Sequence, residues 1–162
     1  MTEATIARLP PAALHALEVW SNPAKVAARI AKVTGLALPA LGCSTGDNAL
    51  RLIRYEPSVW LVEGDVSALP AALGQDGALT AIGGGIVRVE LSGPSWRRLL
   101  MEGGVFDAES PHFAPGCSAA TVIDHVAVRL LVTDEDGCLA YVPASYAADL
   151  ICFWECAAAA LD

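Results

Sequence analysis

Apolar residues along this chain switch between two spacings, every second position and every third or fourth, and the switches mark out its elements. Residues 14–20 are apolar on both faces, the pattern of a strand inside a sheet. Ser21-Asn22-Pro23 supplies a cap with proline at the first helical position. Val26, Ile30 and Val33 then recur at helical spacing beside Lys25, Arg29 and Lys32, until Gly35 stops the helix. A stretch rich in Pro, Gly, Ser and Thr reads as loop as far as Asp47. Residues 49–55 and 59–63 read as strands joined through Glu56-Pro57-Ser58. Residues 65–73 read as a short helix, with Pro70 tolerated near its first turn and Gly74 ending it.

The second half repeats this order. Val87, Val89 and Leu91 alternate with Arg88, Glu90 and Ser92, which predicts a half-buried strand. Gly93-Pro94-Ser95 turns the chain into a helix carrying Trp96, Leu99 and Leu100, closed by Gly103-Gly104. After an irregular stretch, strands are expected at 117–123, 126–133 and 138–142, the last two joined by the turn Asp134-Glu135-Asp136-Gly137. A final helix runs from Ser145 to the end. Leu150, Phe153, Trp154 and Leu161 form its core stripe, and Tyr146, Ile151 and Cys152 lie off it, facing a partner.

The pattern predicts an α+β fold: two ferredoxin-like β-α-β-β-α half-units, about 1–76 and 77–162, the second extended, with a largely antiparallel sheet. Both are expected within one domain, and 162 residues suffice to bury a core.

Composition sharpens this in two ways. A formal charge of −8 with no run of Lys and Arg excludes a nucleic-acid or anionic-membrane partner. Hydrophobic residues at 54% against 17% charged leave more apolar surface than one core consumes, which points to association. No stretch approaches the ~18 apolar residues of a membrane span. Met1-Thr2-Glu3-Ala4-Thr5 lacks the basic and apolar regions of a signal peptide, so a cytoplasmic protein is expected.

The candidate chemistry is sparse. Gly83-Gly84-Gly85 lacks the Gly-Lys-Ser/Thr of a phosphate loop, and Arg88 stands where a dinucleotide fingerprint needs its third glycine. The triplet reads instead as a permissive bend. His15 falls in a strand and His112 in a loop. His125 sits at a hairpin beside Asp124, where strand alternation would turn the pair to opposite faces. Cys43, Cys117, Cys138, Cys152 and Cys156 are odd in number and scattered, arguing against a disulfide framework. Cys152 and Cys156, one helical turn apart, read as small apolar residues on a buried face rather than as metal ligands. Asp134-Glu135-Asp136 is a solvated turn, and Trp20, Trp60, Trp96 and Trp154 read as core. No catalytic, cofactor-binding or metal-binding residue is therefore assigned on this chain.

Val87-Arg88-Val89-Glu90-Leu91-Ser92-Gly93-Pro94-Ser95-Trp96-Arg97-Arg98-Leu99-Leu100 resembles the strand–Gly-Pro–helix segment of the aminomethyltransferase (glycine-cleavage T-protein) superfamily. Gly103-Gly104-Val105-Phe106-Asp107, then Phe113-Ala114-Pro115-Gly116-Cys117-Ser118, is similar to the gamma subunits of heterotetrameric sarcosine oxidases. Pro57-Ser58-Val59-Trp60-Leu61-Val62, the strand at 126–132 and Pro143-Ala144-Ser145-Tyr146-Ala147 match in the same order, so the resemblance covers most of the chain from about residue 45.

The resemblance implies an aminomethyltransferase-like folate-binding-domain fold. It implies a non-catalytic assembly subunit of a bacterial-type flavoenzyme of sarcosine catabolism, which oxidatively demethylates sarcosine or a related secondary N-methylamine to glycine. FAD, FMN, NAD, tetrahydrofolate and zinc would lie on other subunits, with the large flavin-, NAD- and folate-binding subunits as partners in a hetero-oligomer. The family usually carries a pattern like Val-Asp-Val-Ser-Asp-Gly ahead of the central strand, and Thr80-Ala81-Ile82-Gly83-Gly84-Gly85 stands here. Ala144 replaces a common Arg. Any folate contact made by those polar residues in relatives is absent, which weakens the alternative of a stand-alone tetrahydrofolate-binding protein.

Overall fold

The computed structural model describes residues 4–161. In chain order the elements are β1 (Thr5–Arg8), β2 (Leu14–Val19), α1 (Pro23–Thr34), β3 (Ser44–Gly46), β4 (Leu50–Arg54), β5 (Val59–Gly64), α2 (Leu69–Leu73) and β6 (Gly77–Ala81). A 3-10 turn at Gly83–Gly85 leads into β7 (Ile86–Ser92), α3 (Trp96–Met101), β8 (Ser118–Ile123), β9 (Val126–Asp134), β10 (Gly137–Pro143) and α4 (Ala147–Leu161). They form two compact units, one of residues 12–83 and one of residues 84–161 together with 4–11.

The 12–83 unit carries the sheet β3-β4-β5-β2-β6, antiparallel throughout. The start of α1 is set by Asn22, whose φ of 47° turns the chain into Pro23, and its end by Gly35 at φ 74°, whose N–H donates to Ala31 O at 2.9 Å. Val26 and Ile30, one turn apart, bury fully against Leu17, Leu52, Trp60, Val62 and Leu73. Val33, expected on that face, is exposed.

The other unit carries the sheet β1-β7-β10-β9-β8, also antiparallel. The alternation of β7 holds: Val89 and Leu91 are buried and Glu90 is exposed. The central β10 is buried along nearly its whole length. The core gathers Trp96, Leu99 and Leu100 from α3 with Leu150 and Trp154 from α4. Gly103 is required by its position, because its φ is +66° and a Cβ there would lie 2.7 Å from Phe153 Cζ.

The α+β class and antiparallel pairing stand as expected, with three additions. The half-units are β-α-β-β-β-α runs, because β3 forms within what reads as loop. Each run also gains an edge strand that the pattern did not reveal. β6 pairs with β2, so the first sheet extends past residue 76, and β1 pairs with β7, so residues 5–8 belong to the second sheet. Each run thus takes as its edge the short strand that precedes the other run. The helix expected from residue 65 begins at Leu69, because Asp65 instead accepts the Ser67 N–H at 2.9 Å in a local turn. Ile151, expected to lie unpartnered, packs at the rim of the core.

Candidate functional site

Within the 12–83 unit, β2, β6 and α2 enclose an open cleft of about 440 Å³. His15, placed opposite Ala81 by the β2–β6 register, stands in its wall with Val66, Pro70, Leu73, Ala78 and Leu79. Gly77 lets β6 close on β2: a Cβ there would meet Glu18 O at 2.3 Å and Leu73 Cδ2 at 2.8 Å. His15 is the one ionisable side chain in this lining, and its buried Nδ1 has no hydrogen-bond partner. A cleft of this kind offers apolar contact and a single imidazole, with no nucleophile or second acid to complete a catalytic pair.

Beside it, the segment before β6 is latched to the start of α1. Asp76 Oδ1 accepts from Ser21 Oγ at 2.6 Å and Asn22 Nδ2 at 2.8 Å, and Asp76 Oδ2 pairs with Arg29 Nη2 at 2.6 Å. Hydrogen bonds from Ser21, Asn22 and Arg29, in that order, hold the Asp76 carboxyl well below the usual carboxylate range. The same Arg29 nitrogen reaches Leu73 O at 3.3 Å. This arrangement fixes a loop and leaves no free charge for chemistry. The sequence signal for it was Ser21-Asn22 read as a cap; the Asn22 side chain in fact turns away to Asp76.

No family model matches the chain, and no curated protein matches it either. Among solved structures, it is similar to a chain of the heterotetrameric sarcosine oxidase from Corynebacterium sp. U-96 in complex with pyrrole 2-carboxylate. That match has 21% identity and a TM-score of 0.87, covering 96% of this chain and 84% of that one. It is also similar to the glycine cleavage system aminomethyltransferase T from Bartonella henselae, at 19% identity and a TM-score of 0.62, covering 93% of this chain and 45% of that one. The chain has the fold these two proteins share.

With that fold fixed, the residues singled out in the sequence fall into place. Gly83 sits where a Cβ would lie 2.7 Å from Ala12 O, so close backbone approach accounts for it. Trp60, Trp96 and Trp154 are core, but Trp20 is 62% exposed, its indole Nε1 donating to Gln75 O at 3.1 Å. It lies past the end of β2, beyond the alternation that buries Leu17 and Val19. Asp124 and His125 do not lie on a strand. With φ of 44° and 66° they form the exposed tip of the β8–β9 hairpin, so strand alternation is not what keeps them apart. His112 is exposed in its loop. Asp134 caps its own turn by accepting the Asp136 N–H at 2.9 Å.

The cysteine expectation fails at one point. All five are free, but Cys152 and Cys156 are exposed, because the buried face of α4 is the one carrying Ala147, Leu150, Trp154 and Ala158. Arg97, within the strand–Gly-Pro–helix motif, has a structural task. Its Nη1 donates to Ala108 O at 2.6 Å and Phe113 O at 2.9 Å, while its guanidinium lies 4.3 Å from the Trp96 ring centroid. Among the described residues no group of three or more His, Cys, Asp and Glu is placed to hold a metal, and no helix is long and apolar enough to cross a membrane.

Proposed function

We propose that this chain is a non-catalytic assembly subunit of a heteromeric, sarcosine-oxidase-like flavoenzyme in the cytoplasm. The complex oxidatively demethylates sarcosine or a related secondary N-methylamine to glycine. The observation that carries this reading is the reciprocal extent of the likeness to the sarcosine oxidase chain: 96% of one and 84% of the other superpose. Against aminomethyltransferase T the chain spans 45% of the neighbour. The likeness thus spans most of the first neighbour and less than half of the second.

On this reading the partners are large subunits that carry FAD, FMN, NAD and tetrahydrofolate, with zinc on a further small subunit. This chain contributes surface rather than a site. The alternative, a stand-alone tetrahydrofolate binder, draws on the likeness to aminomethyltransferase T.

Co-expression with flavin-motif large subunits, followed by pull-down and an amine-oxidation assay, tests the proposal. The expected result is a stable complex that oxidises sarcosine, while the chain alone is colourless and inactive. Oxidase turnover by the isolated chain, or a flavin band that stays with it through gel filtration, overturns the reading. Stoichiometric tetrahydrofolate binding by the chain alone favours the alternative.

A further inference from the structure

The second sheet ends on β8, whose only ladder is the one with β9. Its six residues, Ser-Ala-Ala-Thr-Val-Ile, include no charge and no proline. Sheet edges are commonly guarded by one or the other, because an open row of N–H and C=O groups pairs readily with another strand. The remaining edge strands β1, β3 and β6 are shorter, at 4, 3 and 5 residues, and β1 carries Arg8.

The hydrogen-bond pattern decides which groups this edge presents. Val132 N–H donates to Cys117 O at 3.0 Å, and the two-residue turn Asp124-His125 closes the ladder on Ile123 and Val126. Bonded pairs alternate along an antiparallel ladder. Ala119, Thr121 and Ile123 therefore bond to β9, while Ala120 and Val122 turn their N–H and C=O outward. Among the described residues no hydrogen bond reaches Ala120 on that side. At one end the chain already lays its own backbone on the edge: Gly104 bridges Ile123, and Asp124 N–H donates to Gly103 O at 3.0 Å. That contact ends after a single bridge. Its register brings Val105 to the corner where Val122 stands, and the two are 87% and 43% exposed. Glu102 and Asp124, beside the bridge, are exposed as well.

We propose that β8 is a docking edge that takes one extended segment of a partner protein as a sixth, antiparallel strand. This inference rests on the assembly reading above and names the element by which the partner is held. Main-chain groups of Ala120 and Val122 set the register, and Val105 and Val122 supply the apolar contact. The small, uncharged side chains of β8 call for an uncharged segment of about five residues opposite them. Glu102 and Asp124 call for lysine or arginine at the end nearest the bridge, which in an antiparallel strand is the segment's N-terminal end.

The test is amide exchange, read residue by residue in the isolated chain and in its complex with co-expressed flavin-motif large subunits. In the isolated chain Ala119 and Thr121 should exchange slowly and Ala120 and Val122 fast, and in the complex all four should be slow. Ala120→Pro removes the outward N–H and spares the ladder with β9, a position where an edge strand tolerates proline. It should melt with the native chain and lose about tenfold in capture, the upper value for one main-chain hydrogen bond. Val122→Lys places a charge on the same edge without touching the backbone and should weaken capture likewise. Native capture of both variants, with the Ala120 and Val122 amides still fast in the complex, overturns the docking edge and leaves the assembly reading standing. Failure of the native chain to be captured at all overturns both.

Discussion

At Asp76 donors from Ser21, Asn22 and Arg29 converge on one carboxylate, and the acid response of the protein should show it. Its pKa in the fold lies below the unfolded value of about 3.9, so the unfolded chain binds the proton more readily. The stabilisation is therefore fully present above pH ~4 and is lost as pH falls toward the folded value. Asp76→Asn should lower the urea midpoint at pH 7, with the gap to the native protein narrowing when both are measured near pH 3. Arg97 makes the complementary case. Its Nη1 holds two carbonyls of the irregular stretch while its plane stacks on Trp96. Lysine keeps the charge but neither the plane nor the reach that sets Nη1 between the two carbonyls. Arg97→Lys should cost about 1.5–3 kcal/mol, the range for a hydrogen bond to a charged group, read as a shift of the denaturation midpoint with unchanged slope.

On the scale of the element, α4 separates what was legible from what was not. Trp154 is fully buried, as its place on the apolar stripe predicts, and Trp154→Ala should cost about 3–5 kcal/mol. Ile151 packs at the rim of the same core, so Ile151→Glu should also lower the melting temperature, by less. An unchanged melt for Ile151→Glu would place it outside the core after all. The stripe was readable because 15 residues sample the helical period several times. β1, β3 and β6 span only 4, 3 and 5 residues, too few to display alternation. Their pairing also lies beyond local sequence: Thr5 finds Ser92, and His15 finds Ala81. The cleft was invisible for the same reason. His15 was recognisable as a strand residue, but its neighbours come from α2 and β6, brought in by a register that no local pattern encodes. Trp20 misled because apolar character and strand position agreed, while the strand ended one residue earlier.

For the molecule as a whole, the apolar surplus in the composition surfaces at particular places. Val105 is 87% exposed, Tyr146 53% and Leu41 57%, an arrangement that costs solubility unless another surface covers it. Val105 is the most telling, because the residues around it are anchored. Gly104 forms a β-bridge with Ile123, and Phe106 lies edge-on to Phe113 with centroids 4.7 Å apart. An apolar side chain held out by a braced loop is pre-ordered for docking, so less conformational entropy is lost when a partner covers it. Burial of such a side chain contributes about 1.5–3 kcal/mol before the costs of association, enough to change a dissociation constant by tenfold or more. Val105→Asp should therefore leave the melting temperature of the isolated chain within the change expected of a surface substitution, about 0.5 kcal/mol. On the proposed assembly it should weaken capture by large flavin-carrying subunits, because a carboxylate would be driven into an apolar contact without a partner charge. Parallel melts and pull-downs check this. A native-like pull-down would remove Val105 from the assembly surface and leave Tyr146 and Leu41 as the next positions to substitute.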